Sequence, residues 1–113
     1  MPAINFVRAL ALTESSDNLN APLGDHGCAL GRWQVHPDWL FGWAAHYHLS
    51  PHLNETWDSF AGRVVSAFAD DHLRLYLPVE VAMYFHLGHH SHPTDTDWDK
   101  AYAARFEGFL GEV

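Results

Sequence analysis

Leu12-Thr13-Glu14-Ser15-Ser16-Asp17-Asn18, followed by Gly24-Asp25-His26-Gly27-Cys28-Ala29-Leu30-Gly31-Arg32-Trp33-Gln34-Val35, is the stretch on which the fold of this chain turns. Upstream of it, Pro2 to Ser15 carry Phe6, Val7, Leu10 and Ala11 at helical spacing, and Pro2 stands where a helix start tolerates proline. From Ser16 to Gly31 the chain is crowded with Asn, Pro, Asp and Gly, so the stripe gives way to an irregular loop or a short β-hairpin. A glutamate thus ends an apolar helix and faces a glycine-rich loop.

Working outward, Pro37 and Asp38 open a second helix through about His48, which Pro51 terminates. The clearest helix spans about Thr56 to Tyr76, with Phe60, Val64, Ala67, Phe68 and Leu75 on one side and Asp58, Arg63 and Asp70 mostly on another. Pro78 starts a further helix through Val79, Val81, Ala82, Tyr84 and Phe85, closing at Gly88. A polar stretch from His89 to Asp97 leads into a last helix, Trp98 to about Leu110. The expectation is a mainly α chain, residues 1–113 forming a single domain, with one irregular insertion after its first helix.

Composition narrows the class. A hydrophobic fraction of 48%, with five Trp and seven Phe, describes a chain that folds around a core. The lone Cys28 excludes an internal disulfide framework. Fourteen acidic against six basic residues give a formal charge of −8, which repels nucleic-acid phosphates and anionic membranes. Nucleic-acid binding is therefore not expected. Ten histidines would soften that charge at mildly acid pH. The opening MPAINFVRALAL is too short for a membrane span and lacks the layout of a signal peptide, so neither a leader nor membrane insertion is expected.

The chemistry centres on Glu14. Partial burial at a helix end disfavours an ionised carboxylate and raises its pKa. A carboxylic acid still protonated near neutral pH is what general-acid cleavage of a glycosidic bond needs. A solvated helix-end glutamate is the ordinary alternative.

Glu14-Ser15, the polar loop, Gly24-Asp25-x-Gly27 and Ala29-Leu30-Gly31-x-x-Gln34-Val35 together resemble the lysozyme-like superfamily, in particular goose-type lysozymes, soluble lytic transglycosylases and phage endolysins. Tyr84-Phe85-His86-Leu87-Gly88 resembles the family's Ala-Tyr-Asn-x-Gly segment, and Tyr102-Ala103-Ala104-Arg105-Phe106 its terminal Tyr-Val-x-x-Val helix. The resemblance implies a lysozyme-like fold and cleavage of the β-1,4 bond between N-acetylmuramic acid and N-acetylglucosamine in peptidoglycan glycan strands. It makes Glu14 the general acid, puts Gln34 beside the sugars, gives Ser15 a supporting or cleft-lining place, and adds Phe85, His86 and Tyr102 as sugar-site residues. Phe85 and His86 stand where the family usually has Tyr and Asn, which alters the cleft contacts. His36 stands where some goose-type members have a further acid.

Asp25 matches a Gly-Asp of goose-type relatives. It is either the base that holds water opposite the acid, at a carboxyl separation of about 6.5–9.5 Å, or an Asx-type turn residue between Gly24 and Gly27. In the latter case the transglycosylase route follows, with one carboxyl acting as acid and then base and the muramic acid closing an anhydro ring.

Other clusters promise less. His46, His48, His86, His89, His90 and His92 lack the Cys partners or the i, i+4 His pair with Glu of zinc signatures. Asp95, Asp97 and Asp99 lack the Gly and Glu of a calcium loop, so Asp97 reads as a helix cap. No metal and no cofactor is expected. Of the five Trp, only Trp33, inside the signature loop, is assigned to the cleft, and Cys28 reads as a buried small residue. The expectation is a monomeric peptidoglycan glycosidase. Without a leader it would reach the wall through phage lysis, a virion or a secretion system, or else it is a domain of a longer secreted chain. The competing classes are a wall-binding or virion structural module without turnover, and a His-rich metal-responsive protein.

Overall fold

Five helices account for the fold in the computed structural model, which describes residues 2–88 and 97–113: α1 (Ala3–Ser15), α2 (Pro37–His46), α3 (Trp57–His72), α4 (Pro78–Leu87) and α5 (Asp97–Glu112). The described residues are mainly helical, about 62%, and form no sheet. The helix α1 packs against both α3 and α5, α4 lies against α5, and α2 against α3. Phe6 and Leu10 of α1, Val64, Val65 and Phe68 of α3, Val81 and Met83 of α4, and Phe106 of α5 are fully buried, with Leu40 of α2 completing the core. Phe6 meets Phe106 edge-to-face, centroids 5.3 Å apart, across the α1–α5 interface.

The helix ends have local causes. Thr56 caps α3 by accepting from the Ser59 N–H at 3.1 Å. Pro78 occupies the first turn of α4, and the Glu80 side chain accepts from the Leu77 N–H at 2.9 Å. The helix α1 ends differently. Ser16 and Asp17 both adopt left-handed backbone (φ 57° and 59°), and their N–H groups return to the carbonyls of Leu12 and Ala11. Left-handed conformation is costly for residues with a Cβ. Here two backbone bonds offset the cost and turn the chain sharply away just after Glu14.

One expected boundary moves. The helix α3 stops at His72, four residues short of Tyr76, and Leu75 is 81% exposed instead of lying on the buried side. The Leu75 and Tyr76 N–H groups both turn back to the His72 carbonyl. Leu77 must then be extended (φ −66°, ψ 149°) to precede Pro78. Leu75 keeps helical spacing in the sequence but sits in a connection. At the other end of α5, Asp97 is the first helical residue and not its cap.

The insertion between α1 and α2 folds as two successive reverse turns, closed by isolated antiparallel bridges Gly24–Ala29 and Leu30–Val35. It therefore has hairpin pairing without a strand. A Cβ on Gly24 would meet the Gln34 side-chain oxygen, so a larger residue there would have to push aside the Gln34 amide where the two turns close on each other. The insertion is anchored at its far end. Arg32 bonds Asp58 of α3 at 2.7 Å and Asp17 at 2.9 Å, and the Ser15 hydroxyl donates to the Arg32 carbonyl at 2.6 Å.

Candidate active site

Glu14 sits on the last turn of α1 with its side chain only 13% exposed. Tyr102, one face of α5 away, donates its hydroxyl to Glu14 Oε2 at 2.6 Å. Arg105, one turn further along α5, donates to the Thr13 carbonyl at 2.5 Å and closes a helix that has no basic residue in its own last turn. Burial pushes the Glu14 pKa up to about 7, against opposing pulls from the Tyr102 hydrogen bond and the Arg105 charge. The Tyr102 hydroxyl is itself driven well above its ordinary value, first by burial and then by the neighbouring Glu14. The phenol therefore keeps its proton and donates it to Oε2. A protonated Glu14 then carries its own proton on Oε1, the oxygen that Tyr102 does not bind.

His86 of α4 completes this corner. Its ring stacks on Tyr102, centroids 3.9 Å apart and 17° from parallel, with Nδ1 3.9 Å from Glu14 Oε2. Burial lowers its pKa, opposed by Asp99 and aided by Arg105. Trp98 donates its indole N–H to His86 Nε2 at 3.2 Å, which leaves the imidazole proton on Nδ1, facing Glu14. A neutral imidazole beside a carboxyl at 3.9 Å is not a strong ion pair.

A cleft of about 650 Å³ opens over Glu14. The insertion supplies Asp25, Ala29, Gln34, Val35 and His36 to its lining, α2 supplies Trp39, and the C-terminal half brings Phe85, His86 and Trp98. The structure therefore gathers Glu14, Asp25, Gln34, Phe85 and His86 in one cavity, with Tyr102 directly behind the acid. Phe85 is 8% exposed and forms apolar wall, its ring edge-to-face with Trp39 at 4.9 Å. Gln34 lines the cleft, but its amide nitrogen donates to the Gly31 and Pro22 carbonyls at 2.9 and 3.3 Å. Gln34 is thus also the brace of the insertion.

Two assigned residues lie elsewhere. Trp33 is 7% exposed, donates to the Val7 carbonyl at 3.0 Å and packs on Gly62 of α3. The double reversal of the insertion turns this indole into the core, on a face away from Glu14. Ser15 does not line the cleft. Its hydroxyl is used up between the Arg32 and Ala11 carbonyls and the Asn18 N–H. Cys28, expected to be buried, is exposed at the turn between Gly24 and Ala29.

Asp25 takes a left-handed backbone (φ 49°), and its Oδ2 lies 2.8 Å from His36 Nε2. Neither the pure Asx turn nor a free carboxylate describes it, since the side chain is paired with His36 and the turn is closed by backbone bonds from Gly27 to Gly24 and Cys28 to Asp25. Among the described residues no group of three or more His, Cys, Asp or Glu is placed to hold a metal ion. His89, His90, His92 and Asp95 lie outside the described residues. No described helix is long and apolar enough to cross a membrane.

Trp98, Trp39, His36 and Arg105 were not assigned to the site from sequence. Trp98 and Arg105 had a visible signal. They stand four residues before and three after Tyr102, hence on its face of α5.

One consequence can be tested at once. Because the Tyr102 bond lowers the Glu14 pKa, Tyr102→Phe should raise it, and the acid should stay protonated to higher pH. Carboxyl NMR titration of Glu14 should show the midpoint moving up from about 7. A midpoint that falls or stays put would show that the hydroxyl does not donate to Oε2.

Compared with protein-family models, with curated proteins and with solved structures, the chain matches none.

Proposed function

We propose that this chain is a lysozyme-like peptidoglycan glycosidase that cleaves the bond between N-acetylmuramic acid and N-acetylglucosamine, with Glu14 as general acid. The observation that carries the reading is a carboxyl group with a pKa near 7 at the head of a roomy cleft. Structural carboxylates are usually held low by partners, whereas an acid kept protonated beside open space is arranged for proton donation. Glu14 delivers the Oε1 proton to the glycosidic oxygen as the bond breaks. Tyr102 holds the carboxyl in place and, once the proton has left, stabilises the carboxylate by donating its hydroxyl to Oε2. Apolar Phe85 and Val35 line the cleft with polar Gln34, His86 and Asp25, a mixture suited to a sugar with apolar and hydroxyl faces. No cofactor takes part in this chemistry. The glycan strands of the wall are the partner, reached by phage lysis, virion delivery or secretion.

The position of Asp25 favours one alternative outcome. One oxygen of its carboxylate is paired with His36 at 2.8 Å in an exposed contact, so Asp25 is held toward His36 instead of standing as an isolated base. This supports a lytic transglycosylase, in which Glu14 itself takes a proton from the muramic acid hydroxyl after donating its own. The experiment is digestion of purified peptidoglycan followed by mass spectrometry of the products. Reducing ends mean hydrolysis and 1,6-anhydro ends mean transglycosylation. Glycan binding with no released product would replace both by a non-catalytic wall-binding module.

A further inference from the structure

Trp98 combines two properties that rarely occur together. It is 71% exposed, yet its orientation is set by the N–H bond to His86 at 3.2 Å. The other strongly exposed large apolar residues, such as Ile4, Leu53 and Leu75, lie outside the lining of the Glu14 cleft, whereas Trp98 belongs to it. Leaving an indole in water forgoes the hydrophobic stabilisation its burial would bring. His86 is in turn fixed by its stack on Tyr102. The indole is therefore held by a chain of contacts that ends on the catalytic acid.

We propose that Trp98 is the stacking platform for the apolar face of one N-acetylated pyranose ring, in the subsite next to Glu14, and that His86 is the positioning residue that holds it there. The inference rests on the glycosidase reading. The N–H of Trp98 is already satisfied, so its contribution to a ligand is the flat ring and not a hydrogen bond. A pyranose ring presents axial C–H groups on one face, and an indole presents the electron-rich face that such groups favour. A platform fixed before binding costs little ordering entropy when the sugar arrives.

The test compares wild type, Trp98→Ala, Trp98→Phe and His86→Ala, using titration of the N-acetylglucosamine tetramer by calorimetry and turnover of soluble glycan strands. Trp98→Ala should weaken tetramer binding about tenfold, equivalent to ~1.4 kcal/mol, and raise KM with kcat nearly unchanged. Trp98→Phe, which keeps a flat ring and loses the N–H bond, should fall between Ala and wild type. His86→Ala should shift the Trp98 indole N–H resonance, identified by its loss in Trp98→Phe, and weaken tetramer binding. Tetramer binding and KM of Trp98→Ala within twofold of wild type would overturn the platform, as would a loss confined to kcat. If wild type cleaves wall and Glu14→Gln does not, that failure belongs to the platform alone. A wild type that neither binds tetramer nor releases wall fragments overturns the glycosidase reading and the platform with it.

Discussion

Glu14→Gln is expected to lower release of peptidoglycan fragments by about 10²–10⁴-fold, the usual contribution of a positioned general acid. Gln keeps the size and an acceptor for Tyr102 but has no proton to give. The same substitution should stabilise the protein at alkaline pH. A carboxyl whose pKa rises from 4.5 unfolded to about 7 folded favours the native state fully below pH 4.5. That advantage disappears as pH rises through 7, because the fold must then hold a buried charge. At about 1.4 kcal/mol per pH unit, the difference amounts to roughly 3 kcal/mol above pH 8. Gln carries no charge at any pH. Urea unfolding at pH 8.5 should therefore show the variant gaining on wild type relative to pH 4.5. Equal differences at the two pH values would mean that Glu14 is not an ionised, poorly solvated group in the native state. Full wall activity in the variant would end its assignment as the acid. The two measurements are independent, since the stability arm requires no substrate.

The second large effect lies in the core. Phe68→Ala should cost about 3–5 kcal/mol, measured by urea or thermal unfolding. Phe68 is fully buried, and its ring lies 5.3 Å from Trp39, 5.1 Å from Trp43, 5.8 Å from Tyr84 and 6.1 Å from Phe85. Removing it leaves a cavity among large, rigid rings that close in poorly. A domain of this size has about 5–15 kcal/mol in total, so the variant would approach the edge of folding. A loss under about 1 kcal/mol would show that the aromatic cluster repacks. The cleft would feel the change as well, because Trp39 and Phe85, which line it, both rest on Phe68.

The helices were legible because their signals are local. Phe6, Leu10 and Ala11 repeat at helical spacing, and Pro37 and Pro78 mark their helix starts directly. Leu75 misled because apolar spacing continues past His72, while the requirement of Pro78 for an extended predecessor acts from beyond it. Of the candidate site, the grouping of Glu14, Asp25, Gln34, Phe85, His86 and Tyr102 was legible, since the fold brings them to one corner or one cavity. The tryptophans were not. Whether an indole in a loop faces core or cleft depends on how often the loop reverses, and two reversals send Trp33 to Val7 and Gly62. Trp98 required knowing which face of α5 meets Glu14. Once Tyr102 is placed there, the four-residue interval places Trp98 too.

The contact between Arg105 and Thr13 spans 92 residues, and the one between Tyr102 and Glu14 spans 88. The end of α1 is therefore completed by a helix made almost a whole chain later. Contacts of such separation form late, since a long loop must close before they reward it. Until α5 is made, Glu14 lacks both of its α5 neighbours, the Tyr102 hydroxyl and the Arg105 charge. The setting of the Glu14 carboxyl is therefore a property of the completed fold and not of α1 alone.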